Sequence, residues 1–226
     1  MEAGLDFERA RFNMVEQQVR PWDVLDQSVL DLLFVVKRED FVPLPYRALA
    51  FSDMEIPLKI DGGDTGESMW SPKLEARIVQ ELAIKPHDIV LEIGTGSGYL
   101  SALLAHKAHH VLSVEIDSRL KSFAEGNLAR AGVHNVKVES GDGSRGWPGK
   151  APYDVIVVTG SLPVMPEALK NQLRIGGRMA AILGEDPVMT AELWTRAAET
   201  SFDVDKLFET SVRPLKNAER PSSFRF

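Results

Sequence analysis

Apolar and polar positions change their period along the chain, and each change marks a different kind of element. Between residues 6 and 36 the pattern is helical, with Val29, Leu30, Leu32, Leu33 and Val36 giving one buried face. Asp6 and Asp26 stand where helix N-caps belong, and Pro21 ends the first of the two segments. Residues 37–66 hold Pro43, Pro45 and Pro57, show no period, and read as loop with at most one short strand. A helical stripe returns after Pro72: Leu74, Ile78, Val79 and Leu82 share a face, Pro72 suits the first helical position, and Ser71 is the expected N-cap.

From residue 88 short apolar runs alternate with helical stretches. Strands are predicted at 88–94, 111–115, 136–139, 153–159 and 178–183. Helices are expected over 99–106, through Leu120, Phe123, Leu128 and Ala131, and over 165–173. Late strands are expected at 207–214 and in the final Ser-Phe-Arg-Phe. Repeated strand–helix units predict an α/β fold with a mostly parallel, doubly wound sheet and helices on both faces. The expected organisation is a helical and loop-rich cover over residues 1–71 on a ligand-binding domain over 72–226, the two forming one compact unit.

Composition narrows the function. The 226 residues carry a formal net charge of −7, which argues against a general nucleic-acid binder because such proteins need a basic face. No cysteine is present, so disulfide and thiolate chemistry are excluded and a reducing, cytoplasmic setting is expected. The opening MEAGLDFERARF has no apolar core of a secretory signal, and no run of eighteen apolar residues predicts a membrane span. Oligomeric state is left open, with a monomer the favoured expectation.

The most informative stretch is VLEIGTGSGY, residues 90–99, where a strand runs into Gly94, Gly96 and Gly98 and a helix follows at once. Such a turn lets backbone approach a ligand closely and presents unpaired N–H groups. A nicotinamide or flavin dinucleotide site would need a third glycine where Tyr99 stands, and Glu92 would repel a pyrophosphate. S-adenosylmethionine, with its sulfonium and ammonium, suits an acidic strand end better. Glu115 ends the next strand, 23 residues after Glu92, where a carboxylate can take both ribose hydroxyls. Asp142 and Gly143 follow the third strand, with Asp142 suited to the adenine amino group, and Thr159 follows the fourth. Glu92, Gly94, Thr95, Gly96, Gly98, Glu115, Asp142, Gly143 and Thr159 are thus the expected cofactor residues. No metal site is expected. His106, His109 and His110 read as solvated, helix-ending histidines, and Trp147 as a packing residue.

Several motifs together resemble the protein-L-isoaspartate O-methyltransferase family. They are MVEQQVRP (14–21), REDFVP (38–43), Ala48–Phe51, the glycine loop, SGDGSRGWP (140–148), the run from Tyr153 to Thr159, and LRIGGRM (173–179). The resemblance covers most of the chain. It implies a Rossmann-like class I methyltransferase fold, S-adenosylmethionine as cofactor, and methyl transfer to the carboxylate of isoaspartyl residues in damaged proteins. It also implies a substrate-positioning serine in a loop of the form threonine-aliphatic-serine-glutamine-proline.

Anchored on Pro72, that loop reads Ser68-Met69-Trp70-Ser71-Pro72, and Trp70 falls on the serine. An indole cannot replace a hydroxyl that both donates and accepts a hydrogen bond. Ser68, Trp70 and Ser71 are therefore the expected catalytic-loop residues, with Trp70 either packing the loop over the cofactor or lining an altered acceptor pocket. S-adenosylmethionine binding is expected to survive and isoaspartyl methylation to be weak. A methyltransferase for another carboxylate or small molecule, and a non-catalytic cofactor- or partner-binding module, are the alternatives.

Overall fold

In the computed structural model, residues 6–220 are described, so the strand expected in the last four residues, including Phe224 and Phe226, lies outside them. Helix α1 (Phe7–Met14) is capped by Asp6, whose carboxylate accepts from the Arg9 N–H, and α2 (Gln27–Val35) is capped in the same way by Asp26. Single-turn helices through Arg38–Asp40 and Leu44–Leu49 carry the chain to a two-stranded antiparallel hairpin, β1 (Ile56–Ile60) and β2 (Gly63–Met69).

The hairpin corrects the expectation of a loop with at most one short strand. Its turn has positive φ at both Asp61 and Gly62, 51° and 76°. Two left-handed residues in succession match the twist of the flanking strands, and Asp-Gly is the dipeptide that adopts them most readily.

Helix α3 (Pro72–Leu82) buries Leu74, Ile78, Val79 and Leu82, as its stripe requires. The chain then alternates β3 (Ile89–Ile93), α4 (Tyr99–Lys107), β4 (His110–Glu115), α5 (Ser118–Arg130), β5 (Val136–Ser140), β6 (Tyr153–Leu162), α6 (Glu167–Gln172) and β7 (Leu173–Glu185). Two further strands, β8 (Val188–Arg196) and β9 (Phe202–Thr210), complete a sheet of order β5-β4-β3-β6-β7-β8-β9. Strands β3 to β7 are parallel; β8 and β9 run antiparallel at the edge. Two expectations shift here. The late strand begins at Phe202 and ends at Thr210, and Leu173 opens β7 where a helix end was expected.

Period-two alternation sorts each central strand between two cores. Val90, Val111 and Val155 join the cluster that contains Met14, Leu30, Ile56 and Leu74, so the N-terminal elements are packed on that face. Leu91, Ile93, Leu112, Val114 and Ile156 face the other cluster, with Met179. The chain crosses over between β3 and β6, and α/β sheets present their ligand crevice at such a switch point. No helix of the described residues is long and apolar enough to cross a membrane.

Candidate active site

The glycine turn after β3 forms the floor of a crevice. Gly94 has a φ of 93°, and a Cβ there would sit 2.2 Å from the Thr159 hydroxyl. Only glycine fits, because both the backbone conformation and the space refuse a side chain. Thr159 closes the contact from β6, its hydroxyl lying 2.8 Å from the carbonyl oxygens of Ile93 and Gly94. The predicted Thr159 is therefore on the wall with its hydroxyl engaged in holding the turn.

Glu115 holds the same turn from the tip of β4. Its Oε2 accepts from the N–H groups of Thr95 and Gly96 at 3.0 and 2.9 Å, and its Oε1 accepts from the Asp117 N–H at 2.9 Å. Asp142 follows β5 and accepts from the Ser144 N–H at 2.9 Å and from the Asn217 side-chain amide at 2.9 Å. Burial works to raise its pKa, but the bonds from Ser144 and Asn217 outweigh it and hold the carboxyl below its ordinary value.

These tips surround a cavity of about 700 Å³, open at its mouth. Gly94, Gly96, Glu115, Asp142, Gly143 and Thr159 line it, as do Ser68 and Trp70. Thr95 lines an adjoining recess of about 340 Å³ that shares Trp70 and the glycine turn. Ile93, Val114, Ile116 and Leu120 supply apolar wall. The mixture of apolar wall with a few convergent polar groups is that of a small-molecule site.

Three expected residues are not on the wall. Glu92 is fully buried beneath the turn, because alternation along β3 points it away from the face that carries Ile93. Its Oε2 accepts from the hydroxyls of Ser101 and Ser113, the latter at 2.6 Å, and its Oε1 has no partner among the described residues. Burial pushes its pKa up to about 8, so the neutral acid prevails at pH 7. Gly98 caps α4 and packs against Ala124 and Leu128. Ser71 is the N-cap residue of α3 through its backbone carbonyl, which accepts from Leu74 and Glu75, and no side-chain cap forms.

Trp70 is 7% exposed and sits between the cavity and its recess. Its carbonyl accepts from Arg38 Nη2 at 2.6 Å, while Arg38 Nη1 pairs with Glu75 and the guanidinium carbon lies 5.0 Å from the centre of the Tyr99 ring. Arg38 is fully buried, so the junction of β2 and α3 is pinned from the cover by a desolvated charge pair.

Sequence reasoning misses Glu55, Glu67, Arg213 and Lys216, which line the mouth, and Asn217 beside it. The Asp-Gly turn is the signal that would have brought Glu55 and Glu67 to the site, through the hairpin that carries them. The C-terminal residues reach it by running from the end of β9 to the tip of β6, where Pro214 bridges Ser161, a long-range contact that no local pattern announces. Residues 213–217 cross the mouth as a strap: Arg213 donates to Ser68 at 3.2 Å, Lys216 pairs with Glu67 at 2.9 Å, and Asn217 reaches Asp142. Trp147 packs its ring against Gly141, and His106 bonds the Ala102 carbonyl at 2.9 Å. Among the described residues there is no group of three potential metal ligands.

The sheet order and the crevice at its crossover are those of the class I S-adenosylmethionine-dependent methyltransferases. A solved structure from Plasmodium falciparum, assigned as a protein-L-isoaspartate O-methyltransferase in complex with S-adenosyl-L-homocysteine, shares the fold with a TM-score of 0.75 at 20% identity, covering 90% of this chain and 97% of that one. The family profile described as protein-L-isoaspartate(D-aspartate) O-methyltransferase matches residues 10–220, and by that measure the chain belongs to this family. A protein-L-isoaspartate O-methyltransferase of Rhodopseudomonas palustris is 41% identical over 208 residues, covering 91% of this chain and 93% of that protein. Another, from Methanoculleus marisnigri, is 43% identical over 176 residues, covering 78% of each chain.

Proposed function

We propose that the protein is an S-adenosylmethionine-dependent O-methyltransferase whose acceptor is the carboxylate of L-isoaspartyl residues in damaged proteins. The observation that carries the reading is the acid-walled crevice over the glycine turn, in a chain whose relatives bear that activity in their names. The residues fit the cofactor. Gly94 leaves a floor that a Cβ would fill, Glu115 and Asp142 offer carboxylates where ribose hydroxyls and an adenine amino group would lie, and Ile116 and Leu120 offer an apolar face.

Bound there, S-adenosylmethionine supplies a methyl carried on a cationic sulfur, whose transfer to a carboxylate oxygen breaks the S–C bond, returns its electrons to sulfur and leaves a neutral ester and a neutral thioether. The chain needs no general base, since a carboxylate with a pKa near 4 is already ionised at neutral pH. Its residues are asked for alignment and exclusion of water, which contribute through pre-organised proximity. Trp70 and the strap across the mouth are placed to exclude water. A cytoplasmic enzyme acting without nucleic acid completes the reading, supported by the absence of cysteine and the net charge of −7.

The test is methyl transfer from labelled S-adenosylmethionine to an isoaspartyl peptide, with the ordinary aspartyl peptide as control. Transfer confined to the isoaspartyl peptide supports the proposal. Tight binding of S-adenosyl-L-homocysteine without transfer would favour a different carboxylate acceptor, the reading that Trp70 at the serine position supports.

A further inference from the structure

Three side chains at the mouth form a directed chain of hydrogen bonds that includes none of the expected cofactor residues. Arg213 Nε donates to Ser68 Oγ at 3.2 Å, and the Ser68 hydroxyl donates to Glu55 at 2.7 Å. All three line the cavity, together with Trp70. Ser68 lies at the end of β2 and Trp70 just past it, and both line the cavity. Lys216, the neighbouring cation on the wall, is paired with Glu67 at 2.9 Å. Among the described residues Arg213 has no carboxylate partner. With Nε committed to Ser68, the two Nη groups remain, and their planar edge matches both oxygens of a carboxylate.

We infer that Arg213 anchors the acceptor's carboxylate, with Ser68 and Glu55 as positioning residues that fix the guanidinium through its Nε. The inference rests on the methyltransferase reading above and specifies its acceptor site. The serine that the family carries at position 70 is replaced here by an indole, and a cation from the far end of the chain takes over recognition. Arg213 is exposed at the mouth and the buried Trp70 lines the same cavity. Methylation turns the acceptor anion into a neutral ester, so Arg213 holds substrate and releases product. An interaction with the acceptor anion that persists into an early transition state, before much of its charge is lost, acts on KM and leaves kcat nearly unchanged.

The experiment is calorimetric titration of an isoaspartyl hexapeptide into the full-length protein saturated with S-adenosyl-L-homocysteine, alongside steady-state methyl transfer. For Arg213→Met the peptide affinity is expected to fall at least tenfold, with Arg213→Lys intermediate and Ser68→Ala about threefold weaker. Affinity for S-adenosyl-L-homocysteine stays within twofold of the wild type, and KM rises by the same factor as the peptide Kd while kcat stays within twofold. An unchanged peptide affinity in Arg213→Met overturns the inference. So does a parallel loss of S-adenosyl-L-homocysteine affinity, which would make Arg213 a fastener of the strap. A wild type that binds the peptide through Arg213 yet transfers no methyl leaves the anchor standing and removes the methylation reading. A wild type that binds no peptide removes both.

Discussion

Glu92 and Trp70 are the two residues whose environments make the sharpest claims. Glu92 is buried with one oxygen unpartnered, and its pKa rises from 4.5 to about 8. A raised carboxyl pKa means the folded state holds a proton that the unfolded state has lost across pH 4.5–8. Stability therefore falls as pH rises through that window. Replacing Glu92 by glutamine, which is neutral at every pH, is expected to flatten this dependence and gain on the order of 2–4 kcal/mol relative to wild type between pH 5 and pH 8. Urea unfolding at the two pH values measures it; equal slopes for the two proteins would place Glu92 in its ionised form. Trp70→Ser places a hydroxyl where the family resemblance expects one, at the cost of a cavity, and truncation of a buried tryptophan removes about 3–5 kcal/mol of stability. With the folded fraction checked by circular dichroism, kcat/KM on an isoaspartyl peptide is expected to rise about tenfold, the worth of one well-placed hydrogen bond. No rise would show that position 70 does not limit the reaction.

Elements were legible where their signal is local. The apolar runs at β3 and β6 and the capped stripe of α3 follow from period and punctuation alone, and they carry the cofactor crevice with them. Pro57 and the glycines mask the hairpin that the Asp-Gly turn specifies, and with it Glu55 and Glu67. The position of Glu92 at the strand end suggests a cofactor residue, whereas its parity along β3 turns it into the core. The strap could not be read at all: Arg213 meets Ser68 across 145 positions, and no periodicity records that distance. The junction of β2 with α3 depends on the cover in the same long-range way, through Arg38. Removing that guanidinium leaves Glu75 buried without its partner, which costs about 3–5 kcal/mol. Arg38→Met is expected to lower the urea midpoint accordingly with an unchanged m-value. The double change with Glu75→Leu is expected to recover most of the loss, since an apolar pair of similar volume can replace a buried ion pair. A double variant as unstable as the single one would show that the bond from Arg38 to the Trp70 carbonyl dominates.

At the scale of the whole molecule the question is whether cover and sheet unfold together. One hydrophobic cluster runs from Met14 and Leu30 through Leu74 to Val90 and Val155, so the cover has no separate core to retain. Trp22 of the cover also meets Phe208 of β9 edge-on, with ring centres 4.7 Å apart, which ties the N-terminal segment to the far edge of the sheet. A ligand seated at the strand tips therefore stabilises a unit that includes the cover. S-adenosyl-L-homocysteine at a hundred times its Kd adds about 2.7 kcal/mol to the folded state. For a chain of this length that corresponds to a rise in Tm of about 5–11 °C. In a Trp147→Phe, Trp194→Phe background, tryptophan fluorescence samples only Trp22 in the cover and Trp70 at the crevice, whereas far-ultraviolet circular dichroism samples the sheet and its helices. Both signals are expected to move together, with and without ligand, in one coincident transition. A fluorescence change that precedes the loss of secondary structure, and that ligand does not shift, would mean that the cover opens independently and that the crevice is built by the sheet alone.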